Sequence, residues 1–99
     1  MAAVEFSRAA RNHLKEIHDH IARDSPAAAE ALIAEIISRV EQIVLFPESG
    51  RMIPESSETA KREILVGNYR VLYRLGSDPI WIVAIVHGRR LLPVRHLKS

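Results

Sequence analysis

The sequence predicts an α+β domain in which a short N-terminal strand and an α-helical hairpin precede a three-stranded antiparallel meander. Three observations support this: a helical period of apolar residues before residue 46, a change to extended segments after residue 61, and a very short connection between the two helical segments. An amphipathic hairpin needs a partner for its apolar side, so we expect the helices to pack on one face of the sheet. The 99 residues suffice for one such domain, assigned to residues 1–99.

The first elements are a short strand and an amphipathic helix. Val4 and Phe6 share one side of an extended segment, and Ser7 after them is a favourable helix N-cap. Apolar residues then recur every three or four positions, which predicts a helix over residues 8–23 with one apolar face. The opposite face is charged and is expected to contact solvent.

A second helix follows directly, so the two helices form a hairpin. Ser25 can cap its first turn, and Pro26 suits the first helical position because that position needs no backbone N–H. The Phe46-Pro47 pair ends this helix, since proline disfavours helical backbone at the residue before it. Residues 47–61 contain two prolines, one glycine and four hydroxyl side chains, which predicts a loop.

Three extended segments, at residues 62–66, 69–75 and 80–86, predict the antiparallel meander. They are rich in β-branched and aromatic residues and are separated by glycine-containing turns. The third segment is apolar at both parities, as expected for a central strand that is covered on both faces. In the second segment, Arg70 and Arg74 alternate with apolar residues, so we expect these arginines to face the open side of the sheet.

The composition excludes several classes of protein. Without cysteine, the chain has no disulfide, thiolate nucleophile or cysteine-ligated metal site. The longest apolar run, residues 80–86, is much shorter than the ~20 residues of a membrane helix. No signal pattern, metal-ligand cluster or glycine-rich phosphate loop is present. We therefore expect a cytoplasmic protein with no membrane association, no metal and no cofactor.

The charge is divided unequally along the chain. Residues 1–60 carry six basic and ten acidic side chains, a net charge of −4, whereas residues 61–99 carry eight basic and two acidic ones, a net charge of +6. A positive half favours nucleic acid or an acidic protein as partner, although a basic surface that only aids solubility has the same composition. The eight basic residues are Lys61, Arg62, Arg70, Arg74, Arg89, Arg90, Arg95 and Lys98.

One cluster, at the end of the third extended segment, is suited to chemistry. His87 and Arg89 share a parity, and we expect both to lie on one sheet face beside Arg70 and Arg74. If the protein cleaved RNA, His87 could be the general acid or base while the arginines neutralised charge developing on the phosphate. A strand end that simply turns basic at the surface has the same pattern, so spacing alone leaves both interpretations open.

Six segments occur in an order and spacing that resemble the RelE/ParE toxin superfamily, and within it the ParE branch. They are residues 6–10 (FSRAA), 24–29 (DSPAAA), 46–51 (FPESGR), 62–66 (REILV), 69–74 (YRVLYR) and 85–90 (IVHGRR). The resemblance covers nearly the whole chain and agrees with the predicted fold. It implies the toxin of a type II toxin–antitoxin pair, with a ParD-like or similar antitoxin whose C-terminal segment wraps the toxin.

The resemblance implies one of two targets. ParE-like members poison DNA gyrase, whereas RelE-like members enter the ribosomal A site and cut messenger RNA. The loop that ends in Gly50-Arg51 and the ending His87-Gly-Arg-Arg90 look more like ParE. The chain also lacks the mid-chain lysines of many RelE-like ribonucleases, since Lys61 is the only lysine between Lys15 and Lys98. We therefore expect a gyrase inhibitor that catalyses no reaction. The first alternative is a ribosome-dependent messenger endoribonuclease, and the second is a non-toxic binding module or inactive remnant.

Each target implies its own residues. A ribonuclease would use His87, Arg70 and Arg74 in catalysis. A gyrase inhibitor would bind its target through the basic carboxy-terminal residues Arg89, Arg90, Arg95 and Lys98. In either case Arg51, Arg70 and Arg74 are candidates for binding the antitoxin or a phosphate.

Overall fold

The computed structural model describes residues 3–76 and 78–88. Its elements are β1 (Val4–Phe6), α1 (Arg8–Ala22), α2 (Pro26–Leu45), a 3₁₀ turn (Pro47–Ser49), β2 (Arg51–Met52), β3 (Lys61–Val66), β4 (Tyr69–Arg74) and β5 (Ile80–His87). The predicted α+β fold is confirmed: a short N-terminal strand and a helical hairpin precede the antiparallel strands. No helix in the described ranges is both long and apolar enough to cross a membrane.

The strands form one five-stranded sheet in the order β1-β5-β4-β3-β2. Strands β2 to β5 pair antiparallel, and β1 pairs parallel with β5, with Phe6 opposite Ile82. The predicted meander is therefore extended by a strand on each side. The strand β2 lies within residues 47–61, where the sequence predicts only a loop. It was not predicted because two residues are too few to show alternation.

Local signals place both helices as predicted. The Ser7 hydroxyl accepts a hydrogen bond from the Ala10 N–H, and the Ser25 hydroxyl accepts one from the Ala28 N–H, both at 3.1 Å. Each bond satisfies a backbone donor that has no partner within the helix. The helix α2 ends at Leu45, with Phe46 as its C-cap and Pro47 directly after it.

The sheet has apolar residues on both faces. The larger cluster lies between the helices and the sheet and includes Ile36 and Val40 of α2 and the buried Tyr73 of β4. The smaller cluster lies on the opposite face, where Ile53 of the loop after β2 packs with Leu72, Ala84 and Val86. The central strand β5 is thus covered on both sides, as its sequence predicts.

Candidate functional site

The pairing of β4 with β5 divides the predicted site residues between the two faces of the sheet. Directly opposed residues of antiparallel strands project to the same side. His87 is opposite Tyr69, and their rings make an edge-to-face contact with centroids 5.7 Å apart. Arg70 is opposite Val86 instead. His87 therefore lies on the helix side of the sheet, and Arg70 lies on the other side.

The prediction that His87 lies beside Arg70 and Arg74 is wrong, and a β-bulge is the reason. The register shifts between Leu72, which is opposite Ala84, and Tyr73, which is opposite Ile82. This shift inserts one extra residue into β5. Because side chains alternate with a period of two, one extra residue moves all later side chains to the opposite face. Without the bulge, His87 would have shared the face of Arg70.

His87 lines a cleft of about 260 Å³ between α1 and the sheet. Three histidines and one carboxylate of the described chain surround this cleft, but no group of three or more such side chains in residues 3–76 and 78–88 is placed to hold a metal ion. The lining residues are His13, Glu16, Ile17, His20, Tyr69, Ile85, Val86 and His87.

His13 completes the hydrogen bonding of β5 where β1 has ended. Its Nδ1 accepts a hydrogen bond of 3.2 Å from the Ile85 N–H. An accepting Nδ1 carries no proton, so the neutral ring holds its proton on Nε2. The sequence did not indicate this role, because His13 and Ile85 are 72 residues apart.

Arg70 lies in a buried cluster of ion pairs rather than in an open row of arginines. Its Nε donates to Glu63 Oε1 at 2.7 Å, and its two terminal nitrogens donate to the two oxygens of Glu55 at 2.8 and 2.7 Å. The Arg70 side chain is only 5% exposed and that of Glu63 is fully buried. Arg70 lies on the face of the sheet away from the helices, as expected, but that face is not open at this position, because the loop after β2 places Glu55 against Arg70.

Among the described residues, the cluster contains equal numbers of positive and negative side chains. Glu63 also accepts a hydrogen bond of 2.6 Å from Arg51 Nε, so two arginines face two glutamates. The pKa of Arg70 is raised far above its usual value, mainly by the hydrogen bond to Glu55. Burial lowers this pKa, and the interactions with Glu63 raise it further. Arg70 stays charged, and that charge is compensated within the protein. Glu55 and Glu63 were missed as site residues, although an acidic residue inside strand β3 was a signal.

The other predicted candidates differ in accessibility. The Arg51 side chain is 58% exposed beyond its contact with Glu63. Arg74 is half-buried at the far end of β4, opposite Lys61 and Trp81. The target-binding candidates lie outside the described residues: Arg89, Arg90, Arg95 and Lys98.

A buried tyrosine hydroxyl organises the segment between α2 and β2. Tyr73 Oη donates to the Pro47 carbonyl at 2.7 Å and accepts from the Gly50 N–H at 2.9 Å. Arg62 Nη1 donates to the Gly50 carbonyl at 3.1 Å, so both polar groups of that glycine are bound. These contacts give a structural reason for the FPESGR segment, residues 46–51, because its proline and its glycine both bind the Tyr73 hydroxyl.

Tyr73 is expected to make stability depend on pH in the alkaline range. Burial raises the pKa of Tyr73 above its usual value of 10.0, and the hydrogen bond from Gly50 opposes that shift. Its contribution is therefore complete below pH 10.0 and is lost as the pH rises through the pKa of the folded state. In urea unfolding at a series of alkaline pH values, the free energy of unfolding should fall more steeply with rising pH for the natural chain than for Tyr73→Phe. Identical slopes would contradict this.

Comparison with known proteins identifies the family. Residues 4–92 match the sequence model of the family described as the ParE toxin of the type II toxin–antitoxin system parDE. The chain belongs to this family and is a toxin of the RelE/ParE superfamily. A relative, toxin RelE2 of Caulobacter vibrioides, is 29% identical over 91 residues, which are 92% of this chain and 100% of that protein.

Two solved structures share the fold. The chromosomal ParDE system from P. aeruginosa matches with a TM-score of 0.72 and 21% identity, over 88% of this chain and 96% of that one. The RelBE2 toxin–antitoxin complex from Mycobacterium tuberculosis matches with a TM-score of 0.61 and 19% identity, over 87% of this chain and 96% of that one. Both support the arrangement of a helical hairpin on an antiparallel sheet.

Proposed function

We propose that this toxin inhibits DNA gyrase and is neutralised by a cognate antitoxin. The observation that carries the proposal is the separation of His87 from Arg70 by the sheet. A general acid or base must lie within hydrogen-bond reach of the reacting group, and the arginine that stabilises the phosphate must reach the same group. His87 and Arg70 project from opposite faces, so they do not form one such site.

The burial of Arg70 also favours an inhibitor that acts by binding. A phosphate bound by Arg70 would have to displace Glu55, which already occupies both terminal nitrogens in a two-pronged contact. The family match to ParE toxins supports the same branch. We assign gyrase binding to the basic residues of the carboxy-terminal segment, Arg89, Arg90, Arg95 and Lys98.

An antitoxin partner is supported by the two structural neighbours, which are toxin–antitoxin systems. Of the three arginines considered for this contact, Arg51 is the best placed, since its side chain is exposed on the open face beside β3. An acidic side chain of the antitoxin would meet Arg51 without disturbing the buried cluster. Arg74 is the second candidate, and Arg70 contributes by holding Glu63 and Glu55 in place.

The direct test is plasmid supercoiling and DNA cleavage by purified gyrase, with and without this protein, repeated after the antitoxin is added. We expect loss of supercoiling or accumulation of cleaved DNA, reversed by the antitoxin. If gyrase is unaffected while the protein still arrests growth, the gyrase proposal fails.

Two variants test the assignment of residues. His87→Ala should leave gyrase inhibition within about twofold, because an exposed side chain outside the contact changes free energies by about 0.5 kcal/mol or less. Deletion of residues 89–99 should remove most of the inhibition. Circular dichroism of both variants controls for folding. A deletion that leaves inhibition intact would count against the assigned gyrase contact.

The second candidate is a ribosome-dependent messenger endoribonuclease, which the relative named RelE2 favours. Its test is cleavage of a messenger RNA in the A site of programmed ribosomes. In that case His87→Ala should abolish cleavage and growth arrest while antitoxin binding survives. A chain that affects neither gyrase nor ribosomes would be a binding module or an inactive remnant.

A further inference from the structure

Two large apolar side chains are exposed where α2 ends. Leu45 is 72% exposed and Phe46 is 65% exposed, more than any other large apolar residue in the described ranges. They adjoin Val44 and Leu75, which are half-buried. We call the surface formed by these four residues the α2-end patch. Leaving two such side chains in water forgoes about 1.5–3 kcal/mol each, which favours a partner that covers them.

Two open depressions adjoin the patch. A groove of about 940 Å³ runs along Phe46, Pro47 and Leu75, and a second depression of about 490 Å³ lies on the α2 side, with Leu45 lining both. Exposed apolar side chains beside such depressions suit the apolar side of an amphipathic helix.

The described charged residues that line the two depressions are acidic. Glu41 and Glu48 line the two depressions. Within residues 3–76 and 78–88, no lysine or arginine lines them and neither glutamate forms an ion pair. The last turn of α2 also lacks a basic residue, so nothing there offsets the partial negative charge of the helix C-terminus. Two carboxylates and a helix C-terminus together favour positively charged side chains.

We propose that the α2-end patch binds a cationic amphipathic segment of another protein. Apolar side chains of that segment cover Leu45 and Phe46, and its lysines or arginines pair with Glu41 and Glu48. The proposal does not depend on the target of the toxin. The residues assigned to gyrase binding are basic and would contact acidic groups. The α2-end patch is flanked by acidic residues and would contact basic groups, so its partner is a different protein segment.

The test uses a fluorescently labelled helical peptide built from leucine on one side and lysine on the other, with the full-length protein. A counterpart with glutamate in place of every lysine is the matched probe. We expect fluorescence anisotropy to show binding of the lysine peptide, weakened by salt, and none of the glutamate peptide. The protein has a formal net charge of +2, so overall charge does not favour the lysine peptide.

Variants locate the binding surface. The double variant Leu45→Ser/Phe46→Ser and the single variant Glu48→Lys should each weaken binding by about tenfold or more, which corresponds to about 1.4 kcal/mol. Leu65→Ser is the matched control, because Leu65 is 48% exposed but lies on β3. It should leave binding unchanged, and circular dichroism should show that all variants are folded.

Three results would overturn the proposal. The first is equal binding of both peptides, and the second is an equal loss of binding in Leu65→Ser. The third comes from sedimentation equilibrium: a dimer that the Leu45→Ser/Phe46→Ser variant loses would make a second copy of this chain the occupant of the patch.

Discussion

Replacing Glu63 with alanine is expected to destabilise the protein by about 3–5 kcal/mol, the usual effect of removing one partner from a buried ion pair. The Glu63 carboxylate is fully buried and accepts hydrogen bonds from Arg70 and Arg51 at 2.7 and 2.6 Å. Without it, the buried Arg70 guanidinium keeps its charge and loses its innermost carboxylate. The free energy of unfolding in urea, followed by circular dichroism, measures the effect.

Glu30→Ala is the matched control for this prediction. Glu30 is 79% exposed and lies 4.0 Å from His18 Nε2 at the surface, so its loss should cost no more than about 1 kcal/mol. The double variant Glu63→Leu/Arg70→Met removes both charges together and should be less destabilised than the sum of the two single variants. If Glu63→Ala and Glu30→Ala prove equally stable, the buried cluster does not stabilise the fold.

The second large effect is expected from Gly50→Ala, which should destabilise the protein by about 1–3 kcal/mol or more through overpacking. A Cβ at this position would lie 2.5 Å from Tyr73 Oη and 2.7 Å from the Glu63 carbonyl oxygen. The backbone of Gly50 has φ −76 and ψ 155, which any residue adopts, so the cost is steric. The same urea titration measures it.

Gly76→Ala separates steric from conformational cost. Gly76 has φ +82, a conformation that strains residues with a side chain. No atom of the described chain lies within 4 Å of the place that an alanine Cβ would take. Its substitution should therefore cost only backbone strain of about 1 kcal/mol. Combining Gly50→Ala with Tyr73→Phe removes the closest clash but leaves the Glu63 carbonyl in place. The double variant should therefore be more stable than additivity predicts. A Gly50→Ala variant more stable than Gly76→Ala would refute the steric explanation.

Much of the fold was predictable because its signals are local. The caps at Ser7 and Ser25 and the stop at Phe46-Pro47 act within a few residues, and the structure places them as expected. The alternation in β4 likewise predicted that Arg70 lies on the face of the sheet away from the helices. By contrast, β2 was missed because its two residues owe their extended form to pairing with β3.

The candidate site was less predictable because its geometry depends on residues distant in sequence. The bulge in β5 decides which face receives His87, and no residue beside His87 signals the bulge. Arg70 is buried because Glu55, 15 residues earlier, folds back onto it from the loop after β2. Leu45 and Phe46 are apolar but exposed, and their exposure depends on which other elements pack against the end of α2.

The helical hairpin, the order of the extended segments, the division of charge and the resemblance to a toxin superfamily can all be read from the amino-acid sequence. These properties follow from periodicity, capping and composition, each of which acts within a few residues or sums over the chain. The register of β4 with β5 and the pairing of Arg70 with Glu63 and Glu55 become visible only in the folded chain. Both depend on contacts between separate segments, and a shift of one residue in register reverses the face on which a side chain lies.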